Sequence, residues 1–388
     1  MTQIFKRTVA QPATHAFVMG VGDYPSAKPG KGVIADLRTV QDLPSAADSA
    51  KLMCDWLIDN QDKLAAPLAS LEVLISDPAQ AANRYKWRNG KPVDPATGVK
   101  VIAAGQQWLK ELTTRPGDVA FFYACGHGAG YSGQPVIFLS DLNADQANPW
   151  SHLNIGNTAN AFRQLKDIKA GFFFADTCRE FIKNFELENA QESRFIRNKL
   201  PSPDDRDKVW LLGAASGALL AYEGNLARDR SVRIGRFTQT LLKGLDGASA
   251  RWRFNKWTIY PSGLWDDLKT LQRVYFPEWK DLPFEPSQGV TQNDPIPIIH
   301  HTDPFLPVLV LTEPEDAVAR FDLRIGEKND GQPPWVASRD SKAADAWLAE
   351  VKGDHRTPLY ALALDGAGHY FSVFVPDQPR FDQRVSIA

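Results

Sequence analysis

Short, uninterrupted apolar runs punctuate the first part of the chain, each ending in glycine, proline or a charged residue. Residues 16–21, 71–75, 121–124, 171–175 and 209–215 are the clearest. Runs of this kind, rich in Phe, Val and Leu and not alternating with polar residues, predict strands buried on both faces of a parallel sheet. Between them lie segments with helical spacing. In 43–57 the apolar residues Ala46, Ala50, Met53 and Leu57 fall on one face; 101–112, 235–245 and 263–274 follow the same logic. Asn157 or Thr158 is a candidate cap for a helix reaching Ile168, while the polar, proline-bearing 77–97 predicts a surface insertion. Strand and helix alternate, which predicts an α/β fold: a mostly parallel sheet flanked by helices.

The pattern changes after residue 250. Trp and Pro cluster through 250–300, and beyond Asp303 the segments 306–312, 319–325, 359–364 and 369–375 alternate like strands of a small β-sandwich or barrel, with a helix an option at 343–351. The expected division is a domain over 1–300, with 250–300 as its tail, and a small C-terminal β-rich accessory domain over 301–388. No catalytic grouping is evident in the latter, so partner or substrate recruitment and plain structural packing both stand as its roles.

The 388 residues carry 44 basic and 46 acidic side chains, a balance that gives no overall footprint for nucleic acid or an anionic membrane. No nucleic-acid and no membrane partner is expected. Three scattered cysteines are too few for a disulfide framework, and the first fourteen residues lack the apolar core of a signal peptide, so the expected location is cytoplasmic.

Two of the apolar runs end in reactive chemistry. One exits through Cys125-Gly126-His127-Gly128 and the other through Asp176-Thr177-Cys178. Ligands of open α/β sheets sit beyond the carboxyl ends of the strands, so one strand would deliver an imidazole to that edge and the other a thiol. A Cys and a His distant in sequence but close in space are what thiol nucleophilic catalysis requires. A buried core cysteine and a backbone-satisfied histidine are the plain alternatives. The glycines around His127, which let a substrate backbone approach, and the charged neighbours of Cys178 argue against them. Cys125 is two residues from His127, but a Cys-x-His pair without further ligands does not make a zinc site, so no metal is expected.

His-Gly after one apolar strand and Asp-x-Cys after the next resemble the caspase/metacaspase superfamily of cysteine proteases, in its prokaryotic metacaspase-like branch. The likeness covers about residues 13–300 and includes an opening strand that runs into Tyr24. The flanks depart from the family pattern: Arg179-Glu180-Phe181 replaces small residues after the nucleophile, and one extra residue precedes Gly126. The resemblance implies a caspase-like fold and a cysteine endopeptidase, with His127 as general acid/base and Cys178 as nucleophile. It further implies that the N–H groups of Gly128 and Cys178 form the oxyanion site.

By the same resemblance Asp48 and Asp176 line the S1 pocket, with Glu223 a weaker third acid, and cleavage follows Arg or Lys because paired carboxylates favour a guanidinium or ammonium. A protein or peptide is the implied substrate, and an activating partner could act through the C-terminal region. The charged stretch 189–208 would then hold autocleavage positions at Arg194, Arg197 and Lys199, although a plain linker has the same composition. No cofactor is expected. Calcium activation is known in the family, and Asp141, Asp145, Asp204, Asp205 and Asp207 lie where loops are expected. A role as a conditionally activated effector in bacterial defence or stress is implied by analogy. The alternative is a catalytically inactive caspase-like scaffold acting through protein–protein contacts.

Overall fold

The computed structural model describes residues 2–9, 12–28, 40–80, 86–88, 90–131, 134–145, 147, 149–178, 195, 208–215, 221–226, 229–279, 284–289, 294, 296–339, 345–365 and 368–387. They divide into two compact units, Met1–Leu242 with Leu282–Ile298, and Lys243–Asp281 with Ile299–Ala388. The Trp- and Pro-rich stretch 250–300 is thus shared between the units.

The first unit is built on a seven-stranded sheet. Its strands are β1 (Gln3–Lys6), β2 (Thr14–Val21), β3 (Leu68–Ser76), β4 (Asp118–Gly126), β8 (Ile168–Thr177), β9 (Val209–Gly213) and β14 (Ser287–Gly289). The order is β1-β3-β2-β4-β8-β9-β14, and the five inner strands run parallel. Only the edge strands β1 and β14 are antiparallel to their neighbours. A smaller sheet of β5 (Gly128–Tyr131), β6 (Gln134–Phe138) and β7 (His152–Asn154) follows β4, and a hairpin of β10 (Glu223–Leu226) and β11 (Asp229–Gly235) follows β9.

Helices cover the main sheet. α1 (Pro44–Asp59) lies against β2, β3 and β4; α2 (Gly98–Leu112) packs on the same strands, and α3 (Ile155–Arg163) packs on β8 and β9. Side chains alternate along the strands, so each strand feeds two cores. Phe121 and Phe174 stack toward Trp56 of α1, whereas Phe17, Phe122 and Phe173 meet Trp108 of α2 and Phe162 of α3. Trp108 is fully buried, and its indole N–H donates to the His15 carbonyl at 2.9 Å. Trp108→Ala therefore removes both a large packing volume and a hydrogen-bond donor. The expected loss is about 3–5 kcal/mol, read by chemical denaturation.

The predicted helical face of α1 is correct: Ala46, Ala50, Met53 and Leu57 are all buried. α3 differs from expectation. Asn154, not Asn157 or Thr158, caps it by accepting the Asn157 N–H at 2.8 Å, and the helix stops at Arg163. The stretch 77–97 is not purely superficial, since Trp87, Val93 and Ala96 are buried and Asp94 bridges to β3.

The second unit holds a hairpin of β12 (Arg251–Arg253) and β13 (Lys256–Ile259), with β13 also paired to β15 (Ile299–His301). α4 (Arg236–Lys243) ends at its boundary, and α5 (Pro261–Tyr275) lies within it. Two further sheets complete it. One is ordered β19 (Trp347–Lys352), β16 (Phe305–Glu313), β22 (Arg380–Ser386); the other is β18 (Trp335–Ser338), β17 (Asp322–Gly326), β20 (Leu359–Leu364), β21 (His369–Phe374). Val308, Val310, Ala349 and Val385 from the first sheet share one apolar core with Leu323, Ile325, Ala361 and Ala363 from the second. That is a sandwich core, as the alternation predicts. The helix option at 343–351 fails where it can be seen: Trp347–Lys352 is a strand, with every second residue from Ala349 buried.

Candidate active site

The carboxyl ends of β2, β4 and β8 meet at one edge of the main sheet. Parallel pairing sets Gly126 of β4 opposite Thr177 of β8, so His127 and Cys178 each follow a paired residue directly. Neighbouring parallel strands are about 4.8 Å apart, which fixes the spacing of the two exits. Gly128 tightens the junction. A Cβ there would lie 2.3 Å from the Val136 carbonyl oxygen and 3.0 Å from that of Cys178, so no other residue fits.

His127 is half-buried and held from both ends. Its backbone N–H donates to Tyr24 Oη at 3.0 Å, and its Nε2 lies 2.9 Å from the Gln41 carbonyl oxygen. A carbonyl only accepts, so this contact places a proton on Nε2 and leaves the acceptor role in the neutral ring to Nδ1. Lys28 steadies the Gln41 segment by bridging Asp42 at 2.9 Å and Asp23 at 3.6 Å. Tyr24 is fully buried, which pushes its phenol pKa upward and keeps it protonated. Tyr24→Phe strands the His127 N–H. We expect a loss of about 1–3 kcal/mol in a denaturation experiment.

Cys178 is half-buried, with Sγ 3.2 Å from the Ala221 N–H donor and 3.7 Å from the Ala221 carbonyl. Beside it, the Thr177 hydroxyl is buried and, among the described residues, has no hydrogen-bond partner. Thr177→Val should therefore raise stability by about 1 kcal/mol, checked by thermal melting.

Asp176 precedes this exit and points into the α1 layer. It is 4 % exposed; Oδ2 accepts from the Thr238 hydroxyl at 2.5 Å and the Thr238 N–H at 3.2 Å. Burial lifts its pKa to about 6 despite these bonds and one to Cys125, and Glu223 adds a raising influence. Gly235 presses on the same oxygen: a Cβ there would come within 1.9 Å of Oδ2. Gly235 N–H in turn donates to Ser49 Oγ at 2.9 Å. Tyr123 Oη meets Thr238 Oγ1 at 2.5 Å, closing a buried polar network. Burial also pushes the Cys125 thiol well up, in keeping with a packed cysteine that bonds to this network.

The other acids have partners of their own. Asp48, on α1, binds Lys51 at 3.0 Å, and Lys51 also reaches the nearly buried Asp77 at 2.7 Å. Glu223 pairs with Arg233 across the β10–β11 hairpin at 2.5 Å. Of the calcium candidates, Asp141 receives the Gly98 N–H at the start of α2 and the Ser151 hydroxyl, and Asp145 receives the Ala147 N–H. Asp204, Asp205 and Asp207, the autocleavage positions Arg194, Arg197 and Lys199, and the flank Arg179-Glu180 lie outside the described residues.

Sequence reasoning missed Gln41, Ala221, Ser49 and Thr238 as contributors. Gln41 and Ala221 act through backbone atoms, which carry no side-chain signal. Ser49 and Thr238 sit on helical segments among residues that pack against the sheet, and only the fold shows that they meet Asp176 and Gly235. A further His–acid constellation lies at the opposite edge: His15 bridges Ser70 Oγ at 2.7 Å and Asp118 Oδ2 at 3.2 Å. All three are almost wholly buried, so this group braces the strand starts and offers no access to substrate.

No family model matches the chain, and no curated protein matches it. Among solved structures, protein GSU0716 from Geobacter sulfurreducens is similar with a TM-score of 0.39 and 14% identity, covering 73% of this chain and 96% of that one. Caspase-1 from Spodoptera frugiperda is similar with a TM-score of 0.41 and 12% identity, covering 72% of this chain and 89% of that one.

Proposed function

We propose that the protein is a caspase/metacaspase-like cysteine endopeptidase in which Cys178 attacks a peptide carbonyl and His127 moves the proton. The observation that carries this reading is the register of β4 with β8, from which imidazole and thiol leave abreast at a ligand-binding edge. Cys178 Sγ adds to the carbonyl carbon, and the tetrahedral adduct collapses to a thioester as His127 protonates the departing amine. Water, deprotonated by the same imidazole, then cleaves the thioester. Gly128 N–H and Cys178 N–H are the proposed donors to the oxyanion.

Asp48, Asp176 and Glu223 support cleavage after Arg or Lys, because they are acids on the segments around this edge. Asp48 is the most open of the three to an arriving cation, whereas Asp176 is enclosed by Thr238 and Gly235 and would have to be uncovered before a substrate side chain could reach it. A peptide library digested with and without calcium, and read for the residue preceding each cut, tests this proposal. Cuts after Arg or Lys are the expected result; cuts after Asp would overturn the basic specificity. The role as a conditionally activated effector in bacterial defence or stress, the cytoplasmic location and the partner-binding C-terminal region belong to the same proposal.

One observation favours the scaffold reading. Sγ of Cys178 is engaged by the Ala221 backbone, and Nε2 of His127 by the Gln41 carbonyl. Labelling with an arginyl chloromethylketone separates the two. Attachment at Cys178, absent from Cys178→Ala, supports the protease; no attachment in any condition, with no peptide cut, supports the scaffold.

A further inference from the structure

The β12–β13 hairpin of the second unit carries features that its own fold does not explain. Arg251-Trp252-Arg253-Phe254-Asn255-Lys256-Trp257 turns through a two-residue loop in which both Phe254 (φ 51°) and Asn255 (φ 59°) are left-handed. Asparagine suits that conformation, but phenylalanine does not. Phe254 is also 86 % exposed, so its ring receives no packing in return. Arg253 and Lys256 face each other across the pair that closes the turn, an arrangement that places like charges side by side. Strain, an exposed ring and a like-charge pair thus coincide within four residues. Such a departure from local stability rules marks a functional position.

We propose that this hairpin docks on an anionic phospholipid surface, with Phe254 inserted among the acyl chains and Arg253 and Lys256 on the lipid phosphates. The chemistry is complementary at each level. The ring stands at an apex, the shape of a wedge, with cations immediately behind it. Below them the half-buried Trp252 and Tyr260 supply the amphipathic rings suited to an interface, and Arg253 lies over Tyr260 at 5.6 Å. Arg251 is neutralised by Asp267 at 2.8 Å and stays structural. A single-stranded nucleic acid would need open aromatic faces to stack on. Phe254 offers one such face, but one face of its neighbour Trp252 is already covered by His355, at a ring separation of 3.7 Å, so there is no run of open rings for successive bases and the lipid surface is favoured. The balanced net charge of the whole chain does not reveal this patch, which is confined to one turn.

The test is flotation of the full chain with vesicles of phosphatidylcholine alone and of phosphatidylcholine with phosphatidylserine. Binding is expected only to the mixed vesicles and should fall as salt rises. Arg253→Ser with Lys256→Ser should weaken it about thirtyfold, the effect of two cations near an anionic leaflet. Phe254→Asn should weaken it about tenfold or more, the effect of one buried aromatic ring. Because asparagine relieves the turn, the thermal midpoint of Phe254→Asn should stay level or rise, which separates binding from folding. Equal binding to both vesicles, unchanged binding of Phe254→Asn, or capture of a single-stranded oligonucleotide in place of vesicles through these residues would overturn the proposal.

Discussion

Cys178→Ala is expected to lower kcat/KM on arginyl peptides by at least about ten-thousandfold, and His127→Ala to do nearly the same. The double variant should be no worse than either single one. A thiol without its imidazole is a poor nucleophile at neutral pH, and an imidazole without the thiol has nothing to activate, so the pair acts as a unit. Steady-state kinetics of the three variants checks this. A double variant slower by the product of the two single losses would mean that the groups act independently. Melting curves should be nearly unchanged for Cys178→Ala, whose side chain is only half-buried.

The second large effect concerns Asp176. Its carboxyl titrates at about 6 in the folded chain against an ordinary 3.8, because burial penalises the charge more than Thr238 and Cys125 relieve it. A raised pKa means that the fold prefers the protonated form. The preference stabilises the protein in full below the unfolded pKa and is lost as pH rises through about 6. Asp176→Asn keeps an acceptor for Thr238 and never acquires the charge. Relative to wild type, the variant should therefore gain about 3 kcal/mol between pH 3.5 and pH 8, the equivalent of roughly two pKa units. Urea midpoints measured across that range test the size and the sign. If Asp176 also receives a basic side chain, kcat/KM for arginyl substrates rises through pH 6 in the wild type, and that rise disappears in Asp176→Asn.

The sheet was legible in the sequence because its strands are buried on both faces. Runs such as Phe121–Ala124 and Gly171–Ala175 leave no other home for so much apolar surface. The two exits were legible for the same reason, since a strand that ends in Gly-His-Gly or Asp-Thr-Cys announces where it meets solvent. What surrounds the exits was not. Tyr24 reaches the backbone of His127 across 103 positions, and Gly235 meets Ser49 across 186, separations over which no local pattern extends. Asp176 read as an acid at a strand end, yet alternation along β8 turns it into the layer beneath α1, where Thr238 and Cys125 enclose it. The start of α3 is not legible because Asn154, Asn157 and Thr158 are all acceptable caps by type, and only the preceding strand β7 decides among them.

The parallel pairing of β4 with β8 has a consequence for which changes of length the chain can absorb. The gap between the two exits is a hydrogen-bond ladder spacing, set by backbone geometry, so lengthening a distant surface turn leaves it as it is. One residue inserted inside Ile168–Thr177 would instead rotate everything downstream by half a pleat and carry the sulfur to the opposite layer of helices. Insertions should be harmless at the exposed turn over 327–330 and ruinous within a few residues of Thr177, whatever amino acid is added.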